Sequence, residues 1–503
     1  LRDLLDIPMQ RRLRIIEQLN EAPGWTSSNE LAKLNNASLR TINNDISYLK
    51  DNWYPHLLIE TSKKNGVRLT TLPSSHVMLV YNYVFKNSDS FRLLDAIFFD
   101  TTKSIEKWGE TLFISESSLY RIINELTLSL TNYSLTLEKK PCRIIGETEL
   151  NVRLFFTSFF REAYSVTEWP YPMNKKDTID FVLSLLNSHN KNIQSNQVMK
   201  LTNLVCTSLI RISQGFYIER SIANSIENKR FTKILEKSKP QLLKICEQLD
   251  ITYDNYLITD LAYSLFYHRN NWTNEQERLD ITKEIRQLIK TIRDVFDLTL
   301  NNKIADEIED YLVHLYLFHK VYPYRNYIIF DKYYYSGKTI KNNFPFFSSV
   351  VEKVLKSMES NTRFPWFSSY NYVILYNIMV KWGNLSELLE EKKVKVQVLV
   401  ISDLGEEHCH FLAEMIRKNF RHKINLTEYK DLVVFLDNID PAYFNKYDLI
   451  ITTFNTNILP VQKLIVIDDV PSNQDWATIR ISINKLFKLS DTMVKEVQHI
   501  EEE

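Results

Sequence analysis

The stretch SLRTINNDISYLK, residues 38–50, reads as a helix with two unlike faces. Leu39, Ile42, Ile46 and Leu49 recur at helical spacing and are expected to face a core, leaving Arg40, Thr41, Asn43, Asn44, Ser47 and Lys50 outside. Ser38 stands where an N-cap belongs. Upstream, MQRRLRIIEQLN (9–20) carries Leu13, Ile16 and Leu19 at the same spacing, and Thr26 to Ser28 offer caps for a short helix over 29–34. Downstream, LLIETSKKNGVRLT (57–70) reads as strand, Asn-Gly turn and strand, with Lys63, Lys64 and Arg68 around the tip. Three helices followed by a basic hairpin spell a winged helix-turn-helix. Ser38, Arg40, Thr41, Asn43 and Asn44 are then the residues to meet base edges in a major groove, Asn suited to adenine and Arg to guanine. The wing cations would neutralise phosphates. A solvated helix face on a protein-binding domain is the competing reading of the same stripe.

The pattern recurs. Ser118, Leu119, Ile122, Asn124, Glu125 and Leu126 in SLYRIINEL match Ser38, Leu39, Ile42, Asn44, Asp45 and Ile46 at a constant offset of 80. A short helix, SIEKWGE (104–110), precedes this second copy, and LTLEKKPCRIIGE (135–147) follows as a second hairpin with Lys139, Lys140 and Arg143. Ser117, Ser118, Tyr120, Arg121 and Asn124 become the second set of groove candidates. Residues 1–72 hold ten Lys and Arg against eight Asp and Glu, whereas 73–160 hold nine against ten, so the second module is the weaker electrostatic partner for DNA.

Whole-chain composition restricts the remaining classes. At 503 residues the chain exceeds one core, and roughly 100–200 residues per domain implies several units. Formal net charge is zero, so any nucleic-acid affinity must be local. With only 8 glycines there is no GxGxxG and no GxxxxGK[ST], which argues against nucleotide-driven chemistry and leaves no cofactor implied. No window approaches the roughly 18 apolar residues of a membrane span, and the opening residues lack a signal peptide's apolar core. Four dispersed cysteines without CxxC spacing suit a reducing compartment, and a cytoplasmic location is expected.

The N-terminal motifs NELAKLNNASLRTINNDISYLKDNW (29–53) and LFISESSLYRIINEL (112–126) resemble the Mga/AtxA family of virulence transcription regulators. The resemblance implies winged helix-turn-helix domains over 1–72 and 73–165 and phosphotransferase-system regulation domains over 166–272 and 273–392. It implies an enzyme IIB-like α/β domain over 393–503, assigned to dimerisation, so the chain is expected to be multidomain and mainly α. The implied function is a DNA-binding transcription activator, not an enzyme, working as a homodimer on double-stranded promoter DNA. A transient partner, the phosphocarrier protein of the sugar phosphotransferase system, would modulate it through histidine phosphorylation.

The residues themselves support parts of this. Helical periodicity places helices near 177–189, 197–214, 231–249, 255–269, 274–296, 303–320, 348–358 and 366–381. His268 in FYHRNN and His319 in LFHKVYPYRN each end an amphipathic helix beside a basic residue, and His189 ranks third as a phosphorylation candidate. His314, mid-helix, reads as structural, and a helix-end cap or packing role competes for each of the others. Beyond 393, KVKVQVLVISD, KINLTEY, KYDLIITTF and KLIVIDD read as strands, with helices at HFLAEMIRKNF and WATIRISINKLF, a small parallel α/β sheet. Where enzyme IIB phosphocarriers place a nucleophilic Cys after the first strand, this chain has Ser402, Asp403, Leu404 and Gly405, with Cys409 displaced into the helix. That departure disfavours a phosphocarrier enzyme. The HCH triplet at 408–410 points around a helix and is not expected to bind metal. An RNA-binding antiterminator with tandem regulation domains is the other alternative, disfavoured because the N-terminus carries a wing and no small β-rich RNA module.

Overall fold

The side chain of Ser38 accepts the N–H of Thr41, and the helix it caps runs Leu39–Trp53. The computed structural model describes residues 5–22, 24–72, 76–187, 195–219, 228–266, 271–325 and 327–487. These fall into two units, Leu1–Thr273 with His314–Lys332, and Asn274–Val313 with Tyr333–Glu503.

In the first unit, Ile7–Glu21, Ser28–Leu34 and Leu39–Trp53 form three helices, followed by the antiparallel strands Leu57–Ser62 and Gly66–Thr71. Ser27 caps the second helix, within the expected span. Leu39 departs from the expected core stripe. It is 44% exposed, while Asp45 is 2% exposed because Arg11 and Arg12 of the first helix both donate to its carboxylate. The seam between the first and third helices therefore includes an ion-pair cluster beside its apolar contacts. In the wing, Gly66 has φ +99°, and a Cβ there would lie 2.2 Å from the Thr26 carbonyl oxygen. Only glycine lets the strand approach Thr26 closely enough for the bridge between Thr26 and Val67.

Helices Met78–Asn87 and Asp89–Phe99 lead to the second module: Ile105–Leu112, Glu116–Thr131, and the strands Leu135–Lys139 and Cys142–Gly146. The two modules share packing. Trp53 meets Tyr83 edge-on, and the Tyr81 hydroxyl donates to Glu17 at 2.6 Å. Helix Glu149–Ala163 then runs through the core, with Phe155, Phe156, Phe159 and Phe160 all buried. Helices Lys175–Asn187, Ser195–Ser213, Asn228–Lys237, Lys239–Gln248 and Asn255–Phe266 follow. The periodic run over 231–249 divides at Ser238, because Pro240 has no N–H to donate and fits only in a first helical turn. From the segment His314–Lys332, Ile328 and Ile329 donate backbone N–H groups to the buried Glu162 carboxylate at 2.5 and 2.8 Å.

The second unit contains helices Glu275–Val295, Pro345–Thr362 and Asn371–Lys381 near the expected positions, and the 302–313 part of Asn302–Val321. Two further helices, Lys332–Asn343 and Leu385–Glu391, have no counterpart among the periodic runs. The first of these is Tyr-rich and buries Gly337, where a Cβ would lie 2.5 Å from Tyr372 Cβ, so it is held by close helix contact and not by an apolar stripe. Strands Val396–Ile401, Ile424–Glu428, Leu449–Thr452 and Leu464–Val466 form one parallel sheet in the spatial order second, first, third, fourth. Val396, Val398 and Val400 face helices Glu406–Phe420 and Asn473–Leu486. Leu399 and Ile401 face the other way, against the 3-10 turns Val433–Asn438 and Pro441–Lys446.

Candidate nucleic-acid interface

Arg40, Asn43 and Asn44 are exposed along the Leu39–Trp53 helix, while Thr41 is half-buried. Ser38 Oγ lies 2.8 Å from Thr41 Oγ1 and also accepts the Thr41 N–H, so these two hydroxyls serve the cap. Ile42, Ile46, Leu49 and Trp53 anchor the opposite face. The helix therefore presents a polar N-terminal half on a rigid base. The Arg12 guanidinium, besides holding Asp45, stacks 3.6 Å over the Tyr48 ring. Sequence reading missed Asp45 as an anchor, since nothing local separates it from the exposed polar residues beside it.

The wing cations divide into two groups. Arg68 donates to both Glu60 oxygens at 2.9 Å and lies over Trp25, Arg143 pairs with Glu138, and Lys140 Nζ lies 3.6 Å from Glu106. Lys63, Lys64 and Lys139 are exposed at the hairpin tips. The paired arginines sit at the surface, where such ion pairs contribute little and a phosphate can compete with the carboxylate.

In the second module Ile122 and Leu126 are buried in the places of Ile42 and Ile46, but the offset of 80 does not carry the whole burial pattern: Leu119 and Ile123 are buried where Leu39 and Asn43 are exposed, and Glu125 is half-buried where Asp45 is buried. The helix start does not follow the offset either. Ser115, not Ser118, is the N-cap, and Ser118 donates its N–H to Ser115 Oγ. The second recognition helix thus begins earlier relative to its buried stripe. Ser117, Tyr120, Arg121 and Asn124 are exposed on it, with Arg121 3.3 Å from Glu125, and Ser118 is half-buried.

Elsewhere, His319 is half-buried and burial lowers its pKa from the ordinary value. His189 and His268 lie outside the described residues. In the sheet domain, Ser402 is buried after the first strand, its Oγ 2.8 Å from His408 Nδ1, while His408 Nε2 meets the Asp469 carbonyl at 2.9 Å. Cys409 is buried, donates to the Val400 carbonyl, and burial raises its pKa. His410 turns instead to Glu428, so no two side chains of the HCH triplet share a partner. No helix among the described residues is long and apolar enough to cross a membrane.

These features define a protein with two consecutive winged helix-turn-helix modules, a mainly helical body and a parallel α/β domain. Comparison with known proteins agrees. Residues 11–68 match the model of an HTH domain, and 73–160 match the Mga helix-turn-helix domain. A putative trans-acting regulator of Streptococcus pneumoniae serotype 4 is 26% identical over 93% of this chain and 96% of its own length. The capsule synthesis positive regulator AcpB of Bacillus anthracis is 24% identical over 94% and 98%, and the anthrax toxin expression trans-acting positive regulator is 20% identical over 93% and 97%. Over most of its length the chain is thus similar to trans-acting regulators of the Mga/AtxA kind, and its second module matches the Mga helix-turn-helix domain.

Proposed function

We propose that the chain is a transcription activator that reads promoter DNA through its two winged helices. The observation that carries this reading is the exposed Arg40, Asn43 and Asn44 stripe on a capped, core-anchored helix beside the Lys63–Lys64 hairpin tip. Arg and Asn at the N-terminal end of such a helix match purine edges in the major groove, and lysines at a wing tip match phosphates. Ser38 and Thr41 act by fixing the helix start, and Tyr120, Arg121, Asn124 and Ser117 form the second reading edge, with Ser118 beside them. Lys139, Lys140, Arg143 and Arg68 add phosphate contacts. The relatives named as positive regulators support the direction of control, and capsule and toxin genes are what those relatives are named for.

A homodimer joined through the 393–503 domain would present two such pairs of modules. Phosphorylation by a phosphocarrier protein of the sugar phosphotransferase system would bias that assembly. His319 is the described candidate: burial favours its neutral ring, the form whose nitrogen accepts a phosphoryl group. His268 and His189 are the further candidates from sequence.

A gel-shift titration on a curved A·T-rich duplex and a straight duplex, with Arg40→Ala, Asn44→Ala alongside the parent, tests the reading. Loss of affinity in the double variant supports groove contact. Equal binding by both proteins removes the recognition-helix assignment.

A further inference from the structure

The turn that introduces the second recognition helix contains Phe113 in the left-handed region, φ 57° and ψ 39°, with 94% of its surface exposed. No other large apolar side chain among the described residues is as exposed. Both properties are unfavourable for phenylalanine. A bulky residue at the left-handed C-terminal position of a helix takes the place usually given to glycine or asparagine. A ring in water forfeits its burial.

The first module shows what the same turn looks like without these costs. There Asn36, two residues before the cap Ser38, adopts φ 47°, just as Phe113 precedes the cap Ser115 by two residues. The backbone geometry is common to both turns, and only the second spends a large apolar ring on it. That geometry is over-determined by its surroundings: Ile114 donates to the Gly109 carbonyl at 2.9 Å, and Arg92 Nη2 donates to the Leu112 carbonyl at 3.1 Å. A strained residue held from both sides with its side chain in solvent is arranged for an external contact.

We propose that Phe113 is a DNA-contacting residue, packing on an apolar group at the groove edge, either a thymine C5-methyl or a deoxyribose face. This rests on the reading that the second module engages duplex DNA. Its position next to the N-terminus of the recognition helix, on the approach to Ser117 and Tyr120, is where a residue reaches the groove edge. The charge pattern supports an apolar role, since Arg121, Arg143 and Lys140 of this module each lie beside a carboxylate. Non-polar contact with thymine methyl groups is an established means of base readout.

The test uses Phe113→Asn, the residue the first module employs, with Phe113→Leu as an apolar control, in the full chain on a thymine-rich duplex and on the same duplex with deoxyuridine for thymidine. The expected result is about tenfold weaker binding by Phe113→Asn, with thermal stability no lower than the parent, and partial retention by Phe113→Leu. Weaker parent binding to the deoxyuridine duplex, absent in Phe113→Asn, assigns the contact to the methyl group; equal parent binding to both duplexes assigns it to the sugar. Unchanged affinity of Phe113→Asn overturns the proposal, as does a fall in its melting temperature, which would make the ring a packing residue. Failure of the parent to bind any duplex overturns the DNA reading itself, and the proposal with it.

Discussion

Arg211 Nη2 lies 3.2 Å from the carbonyl oxygen of Ile144, so a side chain of the helical body donates directly to a strand of the second wing. The same guanidinium holds Glu149 through Nε and Nη2 at 2.8 and 2.7 Å and stacks 3.7 Å from the Phe216 ring. Next to it Arg153, fully buried, pairs with Glu149 and with Asp260, whose carboxylate also accepts the Ile218 N–H. The wing is therefore not an independent hairpin; its position is tied to the helices at 195–213 and 255–266.

Arg211→Met keeps the apolar stem and removes the charge. It strands Glu149 beside Arg153 alone and leaves the Ile144 carbonyl without this donor, so the expected loss is roughly 3–5 kcal/mol, as for breaking a buried pair from one side. Denaturant unfolding measures it. A loss below about 1 kcal/mol would mean that the network is re-solvated and does not hold the wing.

Asp45→Ala removes the acceptor shared by Arg11 and Arg12, which are themselves only 15% and 19% exposed. Hydrogen bonds to a charged group are worth roughly 1.5–3 kcal/mol, and a drop of that size in stability is expected. DNA affinity should fall with it, because the recognition helix loses its link to the first helix. Unaltered stability would show the seam to be held by Leu13, Ile16 and Ile42 alone.

Lys63→Ala, Lys64→Ala tests the wing by salt dependence. Removing two phosphate contacts should flatten the slope of log affinity against log salt by about 2, with little change in preference between duplexes. An unchanged slope would place the first wing away from the backbone.

Asp95 has its pKa raised to about 6 by burial, against the opposing effects of the Tyr164 hydroxyl and Lys86. A raised carboxyl pKa means that the folded state holds a proton the unfolded state has already released. Its contribution to stability is therefore present below the unfolded value near 4 and is lost as pH rises through about 6. Asp95→Asn should flatten that part of the stability profile and be more stable than the parent at pH 7. Glu162, also raised by burial, keeps some of the same slope in the variant. Parallel parent and variant profiles between pH 4 and 6 would refute the assignment.

Periodicity, capping residues and turn chemistry determined much of this protein locally. The two winged helices, the basic hairpin at Lys63 and Lys64, the caps at Ser27 and Ser38, and the alternation of strand and helix after residue 393 are all legible in short windows. Each depends on interactions between residues close in sequence. What only the tertiary structure decided involves residues far apart. Asp45 is buried because Arg11 and Arg12 meet it from another helix, while Leu39, at the first helical position after the cap, is left exposed. The shift of the second cap to Ser115 escapes a letter-by-letter repeat, since core register and helix start are set by different contacts. The helix at 332–343 has no apolar stripe because its fit depends on Gly337 meeting Tyr372. Local patterns report the free energy of a segment alone; which polar side chain is buried and which ring is exposed is set by partners that the chain brings together only on folding.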